Sequence, residues 1–178
     1  MKYYSPQDCL ELDQITQSQF GISSETLMEN AGKSCAQAIL TQIKPPQSTI
    51  FTVLCGPGNN GGDGLIVARE LSKKKFTVRT ISVREGDFSQ FEQQLGASPA
   101  WVIDALFGVG ARLPFSPFWQ KVFEIVMARA EKVVSIDHPS GFPTSDGTEC
   151  TDPHIRANWT LSIGLHKFSH YTHAGPEA

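Results

Sequence analysis

The run Gly56-Pro57-Gly58-Asn59-Asn60-Gly61-Gly62-Asp63-Gly64 follows an apolar β-type stretch, Ile50 to Cys55, and leads into a helical pattern at Leu65, Ala68 and Leu71. It reads as a strand, a glycine-rich connection and a helix start, which is one βα unit of an α/β fold. Glycines permit positive φ and let a ligand approach without Cβ atoms in the way, and the N–H groups opening the next helix suit an anion. The spacing Gly56-x-Gly58-x-x-Gly61 satisfies a dinucleotide fingerprint, yet Asp63 adds a negative charge that repels a pyrophosphate laid in the usual cradle. A phosphate-bearing ligand is expected, but an ordinary dinucleotide cradle fits poorly.

Two further segments have the same form. Trp101-Val102-Ile103 runs into Asp104 and then Gly108-Val109-Gly110, and Val133-Val134-Ser135-Ile136 runs into Asp137-His138-Pro139-Ser140-Gly141. Each sets a carboxylate where a buried strand should end. In an open parallel sheet ligands bind beyond the carboxyl ends of the strands, so the three connections are expected to converge. Pro139 restricts His138 to extended backbone and Gly141 allows a sharp exit, so Asp137 and Ser140 lie on a stiff turn.

Around these motifs the pattern alternates. Ser5-Pro6 opens a helix through Leu12 and Ile15 that stops before Gly21, and a second helix carries Leu27, Ala31, Cys35, Ala38 and Ile39 up to Pro45-Pro46. Phe76 to Val83 alternates like a half-exposed strand; Phe88, Phe91 and Leu95 predict a short helix; Ser116-Pro117 caps a helix with Phe118, Val122, Ile125 and Val126 on one face; and Trp159 to Ile163 predicts a last strand. The sum is a Rossmann-like three-layer α/β/α fold, a mainly parallel sheet of five strands with an N-terminal helical hairpin, in a single domain over 1–178.

Composition excludes several classes. A net charge of −3, with no basic run longer than Lys73-Lys74-Lys75, leaves no electrostatic footprint for nucleic acid. The apolar runs are short strand cores and the first residues lack a secretory h-region, so a soluble, cytoplasmic protein is expected, away from membranes. Cys9, Cys35, Cys55 and Cys150 are scattered and read as buried small hydrophobes. His166, His170 and His173 fall in a stretch with Thr172, Gly175 and Pro176, which reads as a tail rather than a metal site.

GPGNNGGDG (56–64), DALFGVG (104–110) and IDHPSG (136–141), in this order and preceded by Leu27-Met28-Glu29-Asn30-Ala31-Gly32, resemble the NAD(P)H-hydrate epimerase family, the YjeF N-terminal domain type, from about Asp13 to Lys167. The resemblance implies the same fold and an isomerase that interconverts the R and S epimers of hydrated NADH or NADPH (NADHX, NADPHX), in which water has added at C6 of the reduced ring. It implies Asp137 as general acid/base and substrate contact, with further substrate contacts at Asn59, Asn60, Gly61, Gly62 and Asp63 and at Gly108, Val109, Gly110, Ala111, Arg112, Leu113 and Pro114. It also implies a monovalent cation, potassium, on Asn60, Asp104 and Ser140. Hard cations take oxygen donors, which these residues supply, and an ion beside the aspartates offsets their charge near a phosphate. Arg112 can pair with a phosphate, whereas the helix dipole alone accounts for Asp63 in a first turn. Lys167 stands where the family has a late lysine, but His166 and Phe168 differ from the usual neighbours and it is left outside the site.

Two departures accompany the likeness: fewer residues than usual between Lys75 and Asp104, about one strand and helix, and a stop near Lys167. A homodimer and a separate NAD(P)HX dehydratase acting on the product are the partners to consider. The rivals are a conventional NAD(P)-dependent oxidoreductase, opposed by Asp63 and by the ambiguity of Arg84 and Glu85 at the second strand end, and a non-catalytic nucleotide-binding or scaffold module of the same fold.

Overall fold

A computed structural model describes residues 3–86, 88–111, 113–142 and 152–167. The elements run α1 (Pro6–Phe20), α2 (Ser24–Ala38) with a π-helical turn (Ile39–Ile43), β1 (Ile50–Cys55), α3 (Asn59–Lys73), β2 (Thr77–Ser82), α4 (Phe88–Leu95), β3 (Trp101–Ala105), α5 (Pro117–Arg129), β4 (Lys132–Ile136) and β5 (Trp159–Leu161). The strands form one sheet in the order β2-β1-β3-β4-β5, and every pairing is parallel. The expected Rossmann-like fold is present, with crossovers on both faces.

Strand alternation builds the two cores. Phe51, Val53, Trp101, Ile103, Val134 and Ile136 pack against Cys35, Ile39, Val67 and Leu71 of α2, its π turn and α3. Leu54, Val102 and Val133 point the other way, onto Phe91 and Leu95 of α4 and Trp119, Val122, Phe123 and Val126 of α5. The face of α5 is rotated from the expected one: Trp119 and Phe123 are buried, while Phe118 and Ile125 are only partly so. Ser116 is the N-cap of α5 by position, but its hydroxyl makes no capping bond.

α1 starts on a capping box, Ser5 and Asp8 bonding each other's backbone N–H, and ends at Gly21 with φ 66°. No residue of α1 is fully buried; Leu12, Asp13 and Thr16 face a cavity instead. Tyr4 pairs with Lys167 in an isolated parallel bridge, its N–H donating to the His166 carbonyl at 3.0 Å. The N-terminal arm therefore pins the segment after β5. No helix among the described residues is long and apolar enough to cross a membrane.

Candidate active site

The glycine segment does less bending and more packing than its composition implies. α3 begins at Asn59 with Gly58 as N-cap, so Gly61, Gly62 and Gly64 are helical, and none of the five glycines takes positive φ. A Cβ on Gly56 would strike the Leu106 carbonyl, one on Gly61 the Gly56 carbonyl, and one on Gly62 the Met28 sulfur. Gly56 and Gly61 let β1, the start of α3 and the end of β3 approach to backbone contact, and Gly62 makes room for the Met28 side chain of α2. The helix starts early enough to put Asp63 beyond its first turn, so the dipole does not account for that carboxylate.

Asp104 is completely buried near the end of β3. Its Oδ1 accepts from Ser140 Oγ at 2.6 Å and Leu106 N at 3.2 Å, and its Oδ2 from Ser135 Oγ at 2.8 Å and Ser140 N at 2.9 Å. Burial pushes this carboxyl above the usual range, against the downward pull of the Ser140 and Ser135 bonds. Ser140 Oγ in turn accepts from Phe107 N at 3.0 Å. One carboxylate thus fastens the β3 exit to the turn after β4.

Asp137 opens that turn in the left-handed region, φ 67°, a conformation that a non-glycine residue holds only when its surroundings impose it. Its Oδ2 accepts from Val109 N at 3.2 Å; its Oδ1 accepts from Ile163 N at 3.4 Å and from the Lys167 ammonium. Gly108 lies so close that a Cβ there would sit 2.7 Å from Asp137 Oδ2 and 3.6 Å from Asn60 Cγ. Asn60, on α3, donates from Nδ2 to the Ile136 carbonyl at 3.2 Å, while its Oδ1 is buried with no partner among the described residues. The three connections do meet: Asn60, Asp104, Gly108, Val109, Asp137 and Ser140 form one linked cluster.

Beside this cluster a cavity of about 960 Å³ runs between α1, α2 and the β5 edge. Of the sequence-selected residues, Asn59 and Asp63 line it, together with Asp13, Cys35, Pro139, Ile163 and His166. Asp63 is 8% exposed and has no hydrogen bond or ion pair among the described residues. Burial, then the charges of Asp137 and Asp13, push its carboxyl up to about 7. Asp13 is raised by burial and by Asp137 as well.

Among the described residues of the 108–114 segment, none lines this cavity. Gly108, Ala111 and Leu113 border a far smaller recess with His138 and Phe142, Ala111 N donates to the Gly108 carbonyl at 3.2 Å, and the peptide before Pro114 is cis. Arg112, Cys150, His170 and His173 lie outside the described residues.

The chain has relatives. The family described as YjeF-related protein N-terminus matches residues 24–94 and 83–169. The chain belongs to that family. An NAD(P)H-hydrate epimerase from Anopheles gambiae is 32% identical over 92% of this chain and 80% of its own length; one from Limosilactobacillus fermentum is 32% identical over 92% and 86%. The bifunctional NAD(P)H-hydrate repair enzyme Nnr of Thermofilum pendens is 33% identical over 93% of the chain, which spans 36% of that enzyme's length. Among solved structures, the yeast protein YNL200c superposes with a TM-score of 0.68 at 23% identity, covering 95% of this chain and 83% of its own, a likeness of fold.

In this YjeF-related domain the residue that sequence reasoning left out is Lys167. It is 1% exposed, and its ammonium donates to Asp137 Oδ1, Ser162 Oγ at 3.2 Å and the Ile163 carbonyl at 2.6 Å. A lysine is almost never fully buried unless paired, so the contact set is specific. Its neighbours in sequence do not advertise this, because the partner lies 30 residues upstream. Asp13 was equally silent: only the placement of α1 turns a solvated-looking helix residue into cavity wall.

Proposed function

We infer that the chain is an NAD(P)H-hydrate epimerase, with Asp137 as the general base that acts on the C6 hydroxyl of hydrated NADH or NADPH. The observation that carries the reading is the state of Asp137: a carboxylate on left-handed backbone, addressed by two backbone N–H groups and a buried ammonium. Donors on every side orient it, and a base held in one orientation can meet a proton without reorganising. Membership of a family whose relatives carry the epimerase name supports the same reaction class.

C6 of the hydrated ring bears a hydroxyl and is bonded to N1. Asp137 takes the hydroxyl proton, the oxygen's electron pair closes a carbonyl at C6, and the C6–N1 bond breaks with its pair going to nitrogen, which gains a proton. Rotation about C5–C6 and reclosure on the other carbonyl face, with both proton transfers reversed, give the opposite epimer with no net change. Lys167, whose three donors are all engaged, orients Asp137 rather than touching substrate.

A potassium ion fits beside this group. Among the described residues Asn60 Oδ1 is buried and lacks a donor, and Ser140 Oγ, donating once to Asp104 and accepting once from Phe107, keeps a lone pair. Both Asp104 oxygens already take two bonds each, so Asp104 holds Ser140 and would add negative charge to the site without a direct bond to an ion. A cation there would offset the charge of the aspartates toward an anionic dinucleotide. The reading of the domain as a shortened member is supported by the alignment to the Thermofilum enzyme, which runs over 192 positions, more than the 178 residues of the whole chain.

The test is to add purified protein to one NADHX epimer and follow the other by chromatography, with and without potassium, beside Asp137→Asn. Interconversion above the protein-free rate by wild type and not by folded Asp137→Asn is expected. Its absence from well-folded wild type would favour a non-catalytic module instead.

A further inference from the structure

Two carboxyl groups that act on each other stand in opposite surroundings, Asp63 in the cavity wall and Asp137 just behind it, next to the lining residues Pro139 and Ile163. Asp137 is surrounded by donors, with its ammonium partner. Asp63, from the second turn of α3, is nine-tenths buried in the cavity wall, and no hydrogen bond or ion pair reaches it among the described residues. Ile163, which donates to Asp137, and Pro139, two residues beyond it on the same turn, line the cavity with Asp63. The reaction inferred above needs one proton taken from oxygen while another is given to nitrogen, so one carboxylate alone leaves half of the step unserved. We propose that Asp63 is the second catalytic residue, the general acid that protonates N1 as Asp137 accepts the hydroxyl proton. This rests on the epimerase reading and assigns its other half.

The balance closes within the two residues. On ring opening Asp63 gives its proton to N1 and becomes a carboxylate, while Asp137 becomes the acid; on closure N1 returns its proton to Asp63 and Asp137 returns its own to the C6 oxygen. No oxidant, reductant or external base enters. The surroundings keep Asp63 in the required form. Asp13 faces it from α1 and Asp137 from the β4 turn, both adding negative charge. Cys35 faces it from α2 as a thiol pushed up to about 12 by burial, hence neutral. The Lys167 ammonium is committed to Asp137, and His166 borders the same cavity. A carboxyl near 7 is partly protonated at neutral pH, the condition for an efficient acid.

The experiment compares wild type, Asp63→Asn and Asp63→Glu on each NADHX epimer from pH 5.5 to 8.5, with binding followed by tryptophan fluorescence, since Trp159 lines the cavity. Wild-type kcat is expected to fall as pH rises through about 7. Asp63→Asn is expected to lose about 10²- to 10³-fold in kcat, to lose that alkaline limb, and to bind the epimer within about threefold of wild type. Asp63→Glu, which keeps a titratable carboxyl, should retain more activity than Asn. Asp63→Asn at the wild-type rate and pH profile, or with a raised KM and intact kcat, overturns the proposal while leaving the epimerase reading standing. A wild-type enzyme that turns over without an alkaline limb near 7 overturns it too, with no variant needed. Folded wild type that shows no turnover sinks the epimerase reading itself and this assignment with it.

Discussion

Lys167 and Asp137, 30 positions apart in the chain, close an ion pair in the interior, with the lysine 1% and the aspartate 13% exposed. The pair ties the segment after β5 to the turn after β4, and Tyr4 seals the same segment from outside through its bridge to Lys167. It therefore links chain closure to the orientation of the proposed base.

Removing one member strands the other. Lys167→Met should destabilise the protein by roughly 3–5 kcal/mol, the typical cost of leaving a buried charge without its partner. Asp137→Asn should cost less than that only if the ammonium still finds Ser162 and Ile163. The double variant Lys167→Met/Asp137→Asn should be more stable than the sum of the singles predicts, which urea denaturation of all four proteins measures. Strict additivity would mean the pair is not formed in solution.

Gly108→Ala probes the same carboxylate from the opposite side. The added Cβ lies 2.7 Å from Asp137 Oδ2, and that oxygen has little freedom, because Val109 N and Lys167 fix the group at both ends. The expected outcome is a loss of at least about tenfold in kcat with a stability cost of only about 1–3 kcal/mol. Epimer turnover and a thermal melt on the same preparation separate the two. Full activity would show that Asp137 can move without consequence.

Much of this arrangement was legible in the chain and some was not, for identifiable reasons. Strand-end carboxylates at Asp104 and Asp137 could be placed because apolar runs of β type stop there and parallel sheets bind at their carboxyl ends. The glycines could be located but not interpreted: sequence shows a missing Cβ and not whether turn geometry or a neighbour requires it, and here the neighbours do. The Asn60–Ile136 bond and the Lys167–Asp137 pair join residues far apart in sequence, so no local pattern encodes them. Asp63 showed its charge but not its burial, which depends on how α1 and α2 lean over the sheet.

Asp63 should also leave a mark on stability. Its carboxyl titrates near 7 in the folded protein against 3.8 unfolded, so the folded state holds the extra proton between those values. Stability from this group is therefore greatest below about 4, falls as pH rises toward 7, and stays low above it. Asp63→Asn removes the dependence. Its stability gain over wild type should be larger at pH 8 than at pH 4.5, by roughly 1–4 kcal/mol, in matched urea titrations. A gain that does not change with pH would place Asp63 in water.

Asn60 supplies the corresponding test of the cation. If its unpartnered Oδ1 and the spare lone pair of Ser140 bind potassium in the folded state alone, the ion stabilises by mass action, about 1.4 kcal/mol at tenfold over its Kd. Replacing choline chloride by potassium chloride at constant ionic strength should then raise the wild-type Tm by roughly 2–5 °C. Asn60→Ala starts lower, because its bond to the Ile136 carbonyl is lost, so the quantity to compare is the increment on adding potassium. That increment should vanish in Asn60→Ala and shrink in Ser140→Ala. An equal rise in all three proteins would assign the effect to general screening, which exposed charges share, and would remove the ion from the site.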